Sequence, residues 1–158
     1  MEKVIFTKEE CEKIKQGIKT SLHGSNANEK ARKYEEFLIL DRKILDLVLE
    51  KIKVFGVHQL REGRILRYEE GCFFNLHTDT YDKHPNRYKT IIIQLSNEED
   101  YRGGKTRFGD DILDKKMGTT IIFDSTTIHG MEIIESGIRY SFVIWLEKED
   151  LGKQKELI

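Results

Sequence analysis

The chain has 158 residues, 35% of them charged, and its 27 lysines and arginines nearly balance its 28 aspartates and glutamates. That length fits one domain with a single core, and a formal charge of -1 argues against a protein whose main partner is a nucleic-acid backbone. No apolar run approaches the roughly 18 residues of a membrane-spanning helix and the N-terminus lacks a signal-peptide core, so we expect an intracellular, cytoplasmic protein without a membrane partner.

The first part of the chain is predicted to begin with a helix. Thr7 and Glu10 have the spacing of a capping box, in which each side chain accepts a hydrogen bond from the other residue's backbone. Apolar residues follow at helical spacing, at Cys11, Ile14 and Ile18. Residues 21–28 are rich in Ser, Asn and Gly and predict a loop. Cys11 and Cys72 are expected to be buried or half-buried thiols, since two cysteines do not make the disulfide framework of a small secreted domain.

A second helix is predicted to begin near Asp41. Its apolar stripe should face a core, and consists of Ile44, Leu45, Leu47, Val48 and Ile52. Gly56 follows as a stop signal. We therefore expect N-terminal support helices within about residues 7–55.

From about residue 57 the hydrophobic period changes to that of strands. Four β-branched or aromatic runs are separated by glycine and polar clusters, at residues 65–68, 90–95, 119–123 and 140–146. Short strands behind a pair of helices predict an antiparallel barrel or sandwich with the helices packed on one side. We expect one domain over residues 1–158, with a β core at about 57–147, and a charged tail from Glu147 that forms a short helix or a frayed end.

A candidate metal site begins with His77 and Asp79. Side chains at positions i and i+2 of a strand point to the same face, so these two can reach one point in space. His129, just after a predicted strand, offers a third ligand. Two imidazoles and one carboxylate leave coordination positions open, the arrangement of non-heme Fe(II) oxygenases. A lone His-x-Asp is common by chance, and two solvated polar residues at a strand end is the alternative interpretation.

Arg139 strengthens the case for a metal-dependent enzyme. It lies ten residues after His129, and strand alternation places it on one face with Ser141, Val143 and Trp145. A cation directed at a metal cavity would be costly without an anionic partner. A dicarboxylate cosubstrate would supply that partner, because the guanidinium binds a carboxylate with two parallel hydrogen bonds.

With these residues in place, the chain from about residue 65 to residue 146 resembles the prolyl 4-hydroxylase-like branch of the 2-oxoglutarate/Fe(II) dioxygenases. The blocks that carry the resemblance keep their order and spacing, and are residues 67–79, 102–108, 116–123, His129 and residues 137–146. The resemblance implies an α+β, mainly β fold with a double-stranded β-helix (jelly-roll) core. It also implies that Fe(II), 2-oxoglutarate and O2 are required, with ascorbate as a candidate addition.

The resemblance assigns roles to individual residues. It implies His77, Asp79 and His129 as iron ligands and Arg139 on the distal carboxylate of 2-oxoglutarate, with Tyr68 near the cosubstrate on the opposite wall. The family often has a tyrosine on the strand after His-x-Asp to help to hold that carboxylate. Here the matching position is Gln94, with Thr90 nearby, and either side chain can donate a hydrogen bond.

The reaction implied is hydroxylation of a substrate with release of succinate and CO2, and the resemblance favours peptidyl proline. Another protein side chain, a free amino acid or a nucleobase is an alternative substrate. A non-catalytic metal-binding β-barrel and a zinc hydrolase are alternative functions. Arg139 discriminates against a structural metal site, which does not need a carboxylate clamp.

A peptide or protein partner is expected to bind across the mouth between residues 80–89 and 97–114. Tyr81 and Tyr88 could stack on the peptide, and Arg87 could hold a backbone carbonyl. The default interpretation of His84 and Arg87 is nevertheless a solvated surface, and Trp145 is assigned to the core wall. Thr106 and Phe108 are expected to serve strand packing, with a contact to the cosubstrate as the alternative. Gly103 and Gly104 are expected to form a turn or bulge. The oligomeric state is left open.

Overall fold

The computed structural model describes residues 2–28 and 31–152. Two α-helices precede most of the sheet, α1 at Lys8–Lys15 and α2 at Arg42–Ile52. The strands are β1 Glu2–Val4, β2 Leu22–Asn28, β3 Arg32–Ile39, β4 Gly63–Tyr68, β5 Phe73–His77, β6 Lys89–Gln94, β7 Tyr101–Gly103, β8 Thr106–Phe108, β9 Asp111–Ile112, β10 Thr119–Asp124, β11 His129–Met131, β12 Ile134–Gly137 and β13 Arg139–Leu146. Short 3-10 segments lie at Gln16–Thr20, Lys53–Phe55, Glu98–Asp100 and Lys148–Asp150.

The ends of both helices follow from the residues that the sequence places there. Thr7 and Glu10 form the predicted capping box at the start of α1. Asp41 caps α2 by accepting a hydrogen bond from the backbone N–H of Lys43 at 2.9 Å. After the 3-10 turn that follows α2, Gly56 takes a positive φ of 86° and ends it. The predicted boundaries of the second helix are therefore confirmed.

The segment between the helices differs from the prediction. Residues 21–28 were expected to form a loop, but β2 covers Leu22–Asn28 and pairs along its length with β3. The expected helical region at about 7–55 is thus interrupted by a β-hairpin. Residues 22–25 of β2 are exposed, so this edge strand shows no alternation between apolar and polar side chains. Its extended form depends on pairing with β3, which a local pattern does not reveal.

The four strands predicted from apolar runs are all present. They belong to one curled antiparallel sheet of eleven strands, in the order β1-β10-β6-β13-β4-β3-β5-β11-β8-β9, with β2 also paired to β3. A second sheet contains β12 and β7. In the centre, β13 lies between β6 and β4, which brings Arg139 opposite Tyr68 and Ser141 opposite Gln94. The sheet therefore collects the predicted site residues on adjacent strands.

The two faces of the sheet are buried in different ways. On one face, α1 and α2 pack against the sheet in a cluster that includes Cys11, Ile14, Leu45, Val48, Ile91, Ile93, Phe142 and Ile144. On the other face, inside the curl, a second cluster includes Tyr34, Leu66, Tyr68, Ile92, Met131 and Val143. Alternate residues of β6 and β13 serve the two clusters, as strand geometry requires. Both cysteines are buried free thiols, as expected.

The charged tail forms the short 3-10 segment at Lys148–Asp150, after which Leu151 pairs with Val57. The remaining tail residues, 153–158, lie outside the described part of the chain. Within the described ranges, no helix combines the length and apolar character needed to cross a membrane.

Candidate metal centre and cosubstrate cavity

Strand pairing brings the three predicted metal ligands together. His77 is the last residue of β5 and His129 is the first of β11, and the two lie directly opposite each other in the antiparallel pair. Asp79 follows His77 by two residues, and its backbone N–H donates to the carbonyl of Ser125 at 2.8 Å. Two strands and one backbone hydrogen bond therefore position the triad.

The ligand atoms of the triad surround a common point. The Nε2 atom of His77 lies 3.3 Å from one carboxylate oxygen of Asp79, and the Nε2 atom of His129 lies 3.4 Å from the other. One ligand atom from each residue lies within 4.8 Å of the others. Asp79 and His129 are buried and His77 is half-buried, so the point is reached from one side. This is the arrangement that one metal ion would bridge.

The orientation of the two imidazoles suits a metal at that point. Nδ1 of His77 lies 2.7 Å from the carbonyl of Asn75, and Nδ1 of His129 lies 2.9 Å from the carbonyl of Thr127. A carbonyl can only accept, so Nδ1 donates in each ring and Nε2 is the nitrogen that is left to bind a metal. Two imidazole nitrogens and a carboxylate fit Fe(II).

The surroundings keep this donor set in its metal-binding form. Burial alone would raise the pKa of Asp79, but the two neighbouring imidazoles and a hydrogen bond from Thr90 lower that pKa overall. The Thr90 hydroxyl donates to Asp79 at 2.7 Å and lies 2.9 Å from the hydroxyl of Ser125. Burial also lowers the pKa of His129, which favours its neutral ring. For Asp79 and His129, both shifts favour the deprotonated forms that bind a metal.

Aromatic rings hold the two imidazoles in place. The ring of Phe74 stacks on His77 with 3.7 Å between centroids, at an interplanar angle of 16°. Phe123 and Phe108 contact His129, at centroid distances of 4.7 and 5.9 Å. The predicted packing role of Phe108 agrees with this contact. Such walls orient the ligands and exclude water from one side of the site.

Arg139 lies in the same cavity as the triad and is 2% exposed. Its Nη2 and Nε atoms donate to the side-chain oxygen of Gln94, at 2.9 and 3.2 Å, and Nη1 donates to the carbonyl of Gly104 at 3.2 Å. Both acceptors are neutral. Among residues 2–28 and 31–152, no carboxylate comes within ion-pair distance of this guanidinium. Three of the five N–H groups of an arginine are therefore used, and two remain for an anion.

The acceptor from Gly104 depends on backbone geometry that glycine provides. Gly103 and Gly104 both have positive φ, 75° and 63°, which confirms the predicted turn or bulge. A Cβ at position 104 would also come within 2.2 Å of the Ile134 side chain. The glycine pair therefore turns the chain over Arg139 and directs a carbonyl at it.

The other predicted cosubstrate residues divide between the two ends of the cavity. Gln94 accepts a hydrogen bond from Arg139, whereas the hydroxyl of Thr90 donates a hydrogen bond to Asp79. Tyr68 is buried beside Arg139, whose guanidinium carbon lies 5.6 Å from the tyrosine ring centre, and burial raises the Tyr68 pKa well above its usual value. The cavity is lined by Leu66, Tyr68, Phe74, His77, Asp79, Thr90, Ile92, Thr106, His129, Gly130, Met131, Arg139, Ser141, Val143 and Trp145.

Three residues of the site were assigned to other roles from the sequence. The Thr106 hydroxyl and the Trp145 indole N–H are buried, line the cavity and have no hydrogen-bond partner among the described residues. Arg87 is half-buried rather than solvated, with its guanidinium carbon 3.9 Å from the Trp145 ring centre and a hydrogen bond to the carbonyl of Asp79 at 3.4 Å. Strand alternation from Arg139 already placed Trp145 on the cavity face. For Thr106 and Arg87 the sequence offered a role in the site only as an alternative.

Of the two predicted walls of the mouth, residues 80–89 contribute to a groove beside the metal site, whereas the other wall of this groove is formed by residues that were not predicted. Beside His77 and Asp79 lies an open groove of about 220 Å³, lined by Arg32, Tyr34, Glu36, Arg64, Phe74, His77, Thr78, Asp79, Tyr81, His84, Arg87 and Trp145. Its second wall comes from β3 and β4, and no residue of the predicted wall at residues 97–114 lines it. That segment instead folds over the Arg139 end, where Gly104 and Thr106 contact or line the cavity. Tyr88, one of the two predicted stacking residues, lines neither the groove nor the cavity.

Comparison with known proteins identifies the family. The model of the 2OG-Fe(II) oxygenase superfamily matches residues 63–147, more than half of the chain and the whole span from β4 to β13. This chain belongs to the 2OG-Fe(II) oxygenase superfamily. The match confirms the family predicted from the motifs, whose members use iron and 2-oxoglutarate.

Curated relatives match more than two thirds of the chain. A PKHD-type hydroxylase of Synechococcus sp. (strain CC9902) is 30% identical in an alignment of 115 positions that covers 69% of this chain and 51% of that protein. Another, from Synechococcus sp. (strain JA-2-3B'a(2-13)), is 30% identical in an alignment of 127 positions that covers 73% of this chain and 54% of that protein. The chain thus spans about half the length of the curated relatives that it matches.

Solved structures confirm the fold. The viral collagen prolyl hydroxylase of Paramecium Bursaria Chlorella virus-1, solved as a 2OG complex, has a TM-score of 0.72 and 20% identity, over 92% of this chain and 93% of that chain. A Pseudomonas putida prolyl-4-hydroxylase has a TM-score of 0.68 and 17% identity, over 93% and 91%. A prolyl hydroxylase from Trichoplax adhaerens, in complex with a hypoxia inducible factor peptide fragment, has a TM-score of 0.69 and 13% identity, over 94% and 83%. The predicted jelly-roll core with support helices is confirmed.

Proposed function

We propose that this protein is a 2-oxoglutarate- and Fe(II)-dependent hydroxylase, with His77, Asp79 and His129 as its iron ligands. The observation that carries the proposal is the pairing of that triad with Arg139 in one cavity. A metal site without turnover would leave Arg139 as a buried charge with only neutral acceptors, at a considerable cost in free energy. A dicarboxylate that reaches from the metal to Arg139 removes that cost.

The iron and cosubstrate would supply the oxidising chemistry, in which 2-oxoglutarate and O2 yield succinate and CO2 while a C–H bond of the substrate gains a hydroxyl. The protein's part is to bind and orient. Thr90 holds the Asp79 carboxylate, and the backbone carbonyls at residues 75 and 127 hold the imidazole rings. Because these contacts are complete before any ligand binds, the site needs little reorganisation.

Arg139 would bind the distal carboxylate of 2-oxoglutarate through its two remaining N–H groups. Gln94 is assigned as the residue that orients the guanidinium, since its side-chain oxygen accepts from both Nε and Nη2. The unpartnered hydroxyl of Thr106 is suited to donate the additional hydrogen bond to that carboxylate. Tyr68 forms the apolar wall beside the clamp. Thr90, predicted as a further cosubstrate contact, is assigned to the metal end instead.

Peptidyl proline is the proposed substrate. The structural neighbours include prolyl hydroxylases, and the Trichoplax adhaerens protein holds a peptide fragment. In this chain the mouth is an open groove, which suits an extended peptide more than a small molecule that must be enclosed. Proline-rich segments also enter such grooves preformed, which lowers the entropy cost of binding. Tyr81 and Trp145 provide aromatic surfaces at the groove.

The experiment combines two readouts on the iron-reconstituted protein. Succinate formation from 2-oxoglutarate is measured in the presence of ascorbate, with and without short proline-containing peptides. The masses of the peptides are then determined by mass spectrometry. We expect succinate formation to be stimulated by peptide, and one oxygen to be gained on proline. Succinate without any oxidised peptide, across several proline sequences, would reject proline as the substrate. No succinate under any condition would reject the hydroxylase.

A further inference from the structure

A second cavity adjoins the mouth. It has a volume of about 420 Å³ and shares four residues with the groove, namely Arg64, His84, Arg87 and Trp145. Its other walls come from the ends of β4 and β13 and from the loop after Asp79, with Lys83, Pro85 and Asn86 on the loop side. A peptide that passes the metal site along the groove would therefore continue into this cavity.

The acids in the second cavity already have cationic partners. Glu147 and Asp150 lie 3.5 and 3.2 Å from Arg61, and Glu62 lies 3.6 Å from Arg64. Arg64 also pairs with Glu36 in the groove, at 3.1 Å. These acids are concentrated at the end formed by residues 61–64 and 147–150. The charges at that end are thus largely neutralised within the protein.

The loop end of the cavity carries cations without such partners. No acid of the described chain lies within ion-pair distance of Lys83 or of the Arg87 side chain. Arg87 is half-buried between Trp145 and the backbone of Asp79, and its one hydrogen bond to a described residue, at 3.4 Å, is long. His84 lies beside Lys83 and Arg87 in this cavity, with 5.3 Å between its ring centre and that of Tyr81. A half-buried guanidinium with most of its donors unused is a site for an anion.

We propose that Lys83, His84 and Arg87, with Trp145 as their wall, form a basic subsite for an acidic side chain of the substrate. The inference rests on the proposed function, because it assumes that a peptide lies in the groove. An aspartate or glutamate a few residues from the hydroxylated position would place its carboxylate between Arg87 and Lys83.

The test measures peptide binding and peptide oxidation separately. Nine-residue rhodamine-labelled peptides carry a central proline and a single glutamate, scanned over the positions on both sides, in a neutral background of alanine and glycine. Each is compared with the peptide that has glutamine at the same place. Binding is followed by fluorescence anisotropy on the metal-reconstituted protein, and oxidation by mass spectrometry. We expect the best glutamate peptide to bind about fivefold more tightly than its glutamine partner at low salt, and less so at high salt.

Charge reversal makes the test specific to the subsite. Lys83 is exposed, so Lys83→Glu should fold normally. In this variant the glutamate preference should be lost, and a peptide with lysine at the same position should bind better than it does to the wild type. Lys19→Glu is the matched control, because Lys19 is also exposed and lines neither cavity, and it should keep the wild-type preference.

The outcomes separate the subsite from the hydroxylase. Equal binding of glutamate and glutamine peptides at every position, with proline still oxidised, would overturn the subsite and leave the proposed function standing. A glutamate preference that Lys83→Glu removes, with no peptide oxidised, would support the subsite and reject proline hydroxylation. If Arg87→Gln weakened glutamate and glutamine peptides by the same factor, Arg87 would bind the peptide backbone, and its place in the acidic subsite would be refuted.

Discussion

The interior of the cavity and its mouth are built in different ways. In the interior, His77, His129 and Arg139 lie on paired strands, and their side chains are held by backbone carbonyls or by Gln94. At the mouth, residues 81–86 are exposed, and Arg87 has a single long hydrogen bond. Strands determine positions to a fraction of an ångström, whereas loops tolerate substitution. The comparison indicates that the chemistry belongs to the interior and substrate choice to the mouth.

The largest expected effect is at the metal end of the interior. His77→Ala, Asp79→Ala and His129→Ala should each abolish succinate formation and lower iron content, while circular dichroism stays that of a folded protein. The reason is that two ligands cannot hold Fe(II) in place of three. His23→Ala is the matched control, since His23 lies on the exposed edge strand β2. Full activity in any triad variant would remove that residue from the metal site.

Arg139→Ala should have the next largest effect, and it should act on the cosubstrate. Loss of one partner of a buried charge pair costs about 2–5 kcal/mol, so the 2-oxoglutarate requirement should rise steeply. Gln94→Ala should be milder, at about 1.5–3 kcal/mol for the loss of hydrogen bonds from a charged group. Tyr68→Phe should be milder still, because the variant keeps the ring that forms the wall beside Arg139. Steady-state kinetics with 2-oxoglutarate as the varied substrate measures all three. The clamp assignment fails if Arg139→Ala leaves this requirement unchanged.

Thr90→Val distinguishes the two ends of the interior. The variant removes the hydroxyl that donates to Asp79 at 2.7 Å but keeps the shape of the side chain. Iron affinity should fall about tenfold, as is common when a group that orients a ligand is lost. The 2-oxoglutarate requirement at saturating iron should change little. A change in that requirement with unaltered iron affinity would return Thr90 to the cosubstrate, where the sequence first placed it.

The sequence predicted the interior better than the mouth, for a physical reason. The strands that contain Gln94 and Arg139 are continuous apolar runs, so local patterns were sufficient to predict these strands, whereas the roles of their residues came from the family resemblance. The hairpin of β2 and β3 was missed because residues 22–25 are exposed and give no apolar alternation. It provides Tyr34 to the groove, and β4 provides Arg64. A wall assembled from residues far apart in the chain leaves no local signal.

Cys11, which is buried between the helices and the sheet, predicts a loss of stability at high pH. Burial raises the pKa of the Cys11 thiol to about 11, from an ordinary value of 9.0. Between these pH values the Cys11 thiol ionises in the unfolded chain but not in the folded protein. The free energy of unfolding should therefore fall by about 1–3 kcal/mol as the pH rises from about 9 to 11. Urea unfolding at several pH values measures it. Cys11→Ala should lack this component, and an identical pH dependence in the variant would contradict the assignment.

The smallest effect should come from the mouth. Tyr81→Ala should raise the peptide KM about two- to fivefold, since one aromatic contact is lost, and should leave the 2-oxoglutarate requirement unchanged. Tyr88→Ala is the matched control, because Tyr88 lies beside Lys89 and Lys148 and not at the groove. Equal effects of the two substitutions on peptide KM would show that the groove is not where the peptide binds.

The central claim is that one cavity holds both a metal and a dicarboxylate, bridged between the triad and Arg139. Anaerobic calorimetry of 2-oxoglutarate binding tests it most directly, with the wild type and Arg139→Ala, each with and without Fe(II). The account predicts tight binding only to the iron-loaded wild type, and a loss of affinity on removal of either the iron or the arginine. Equal affinity in all four cases would contradict it.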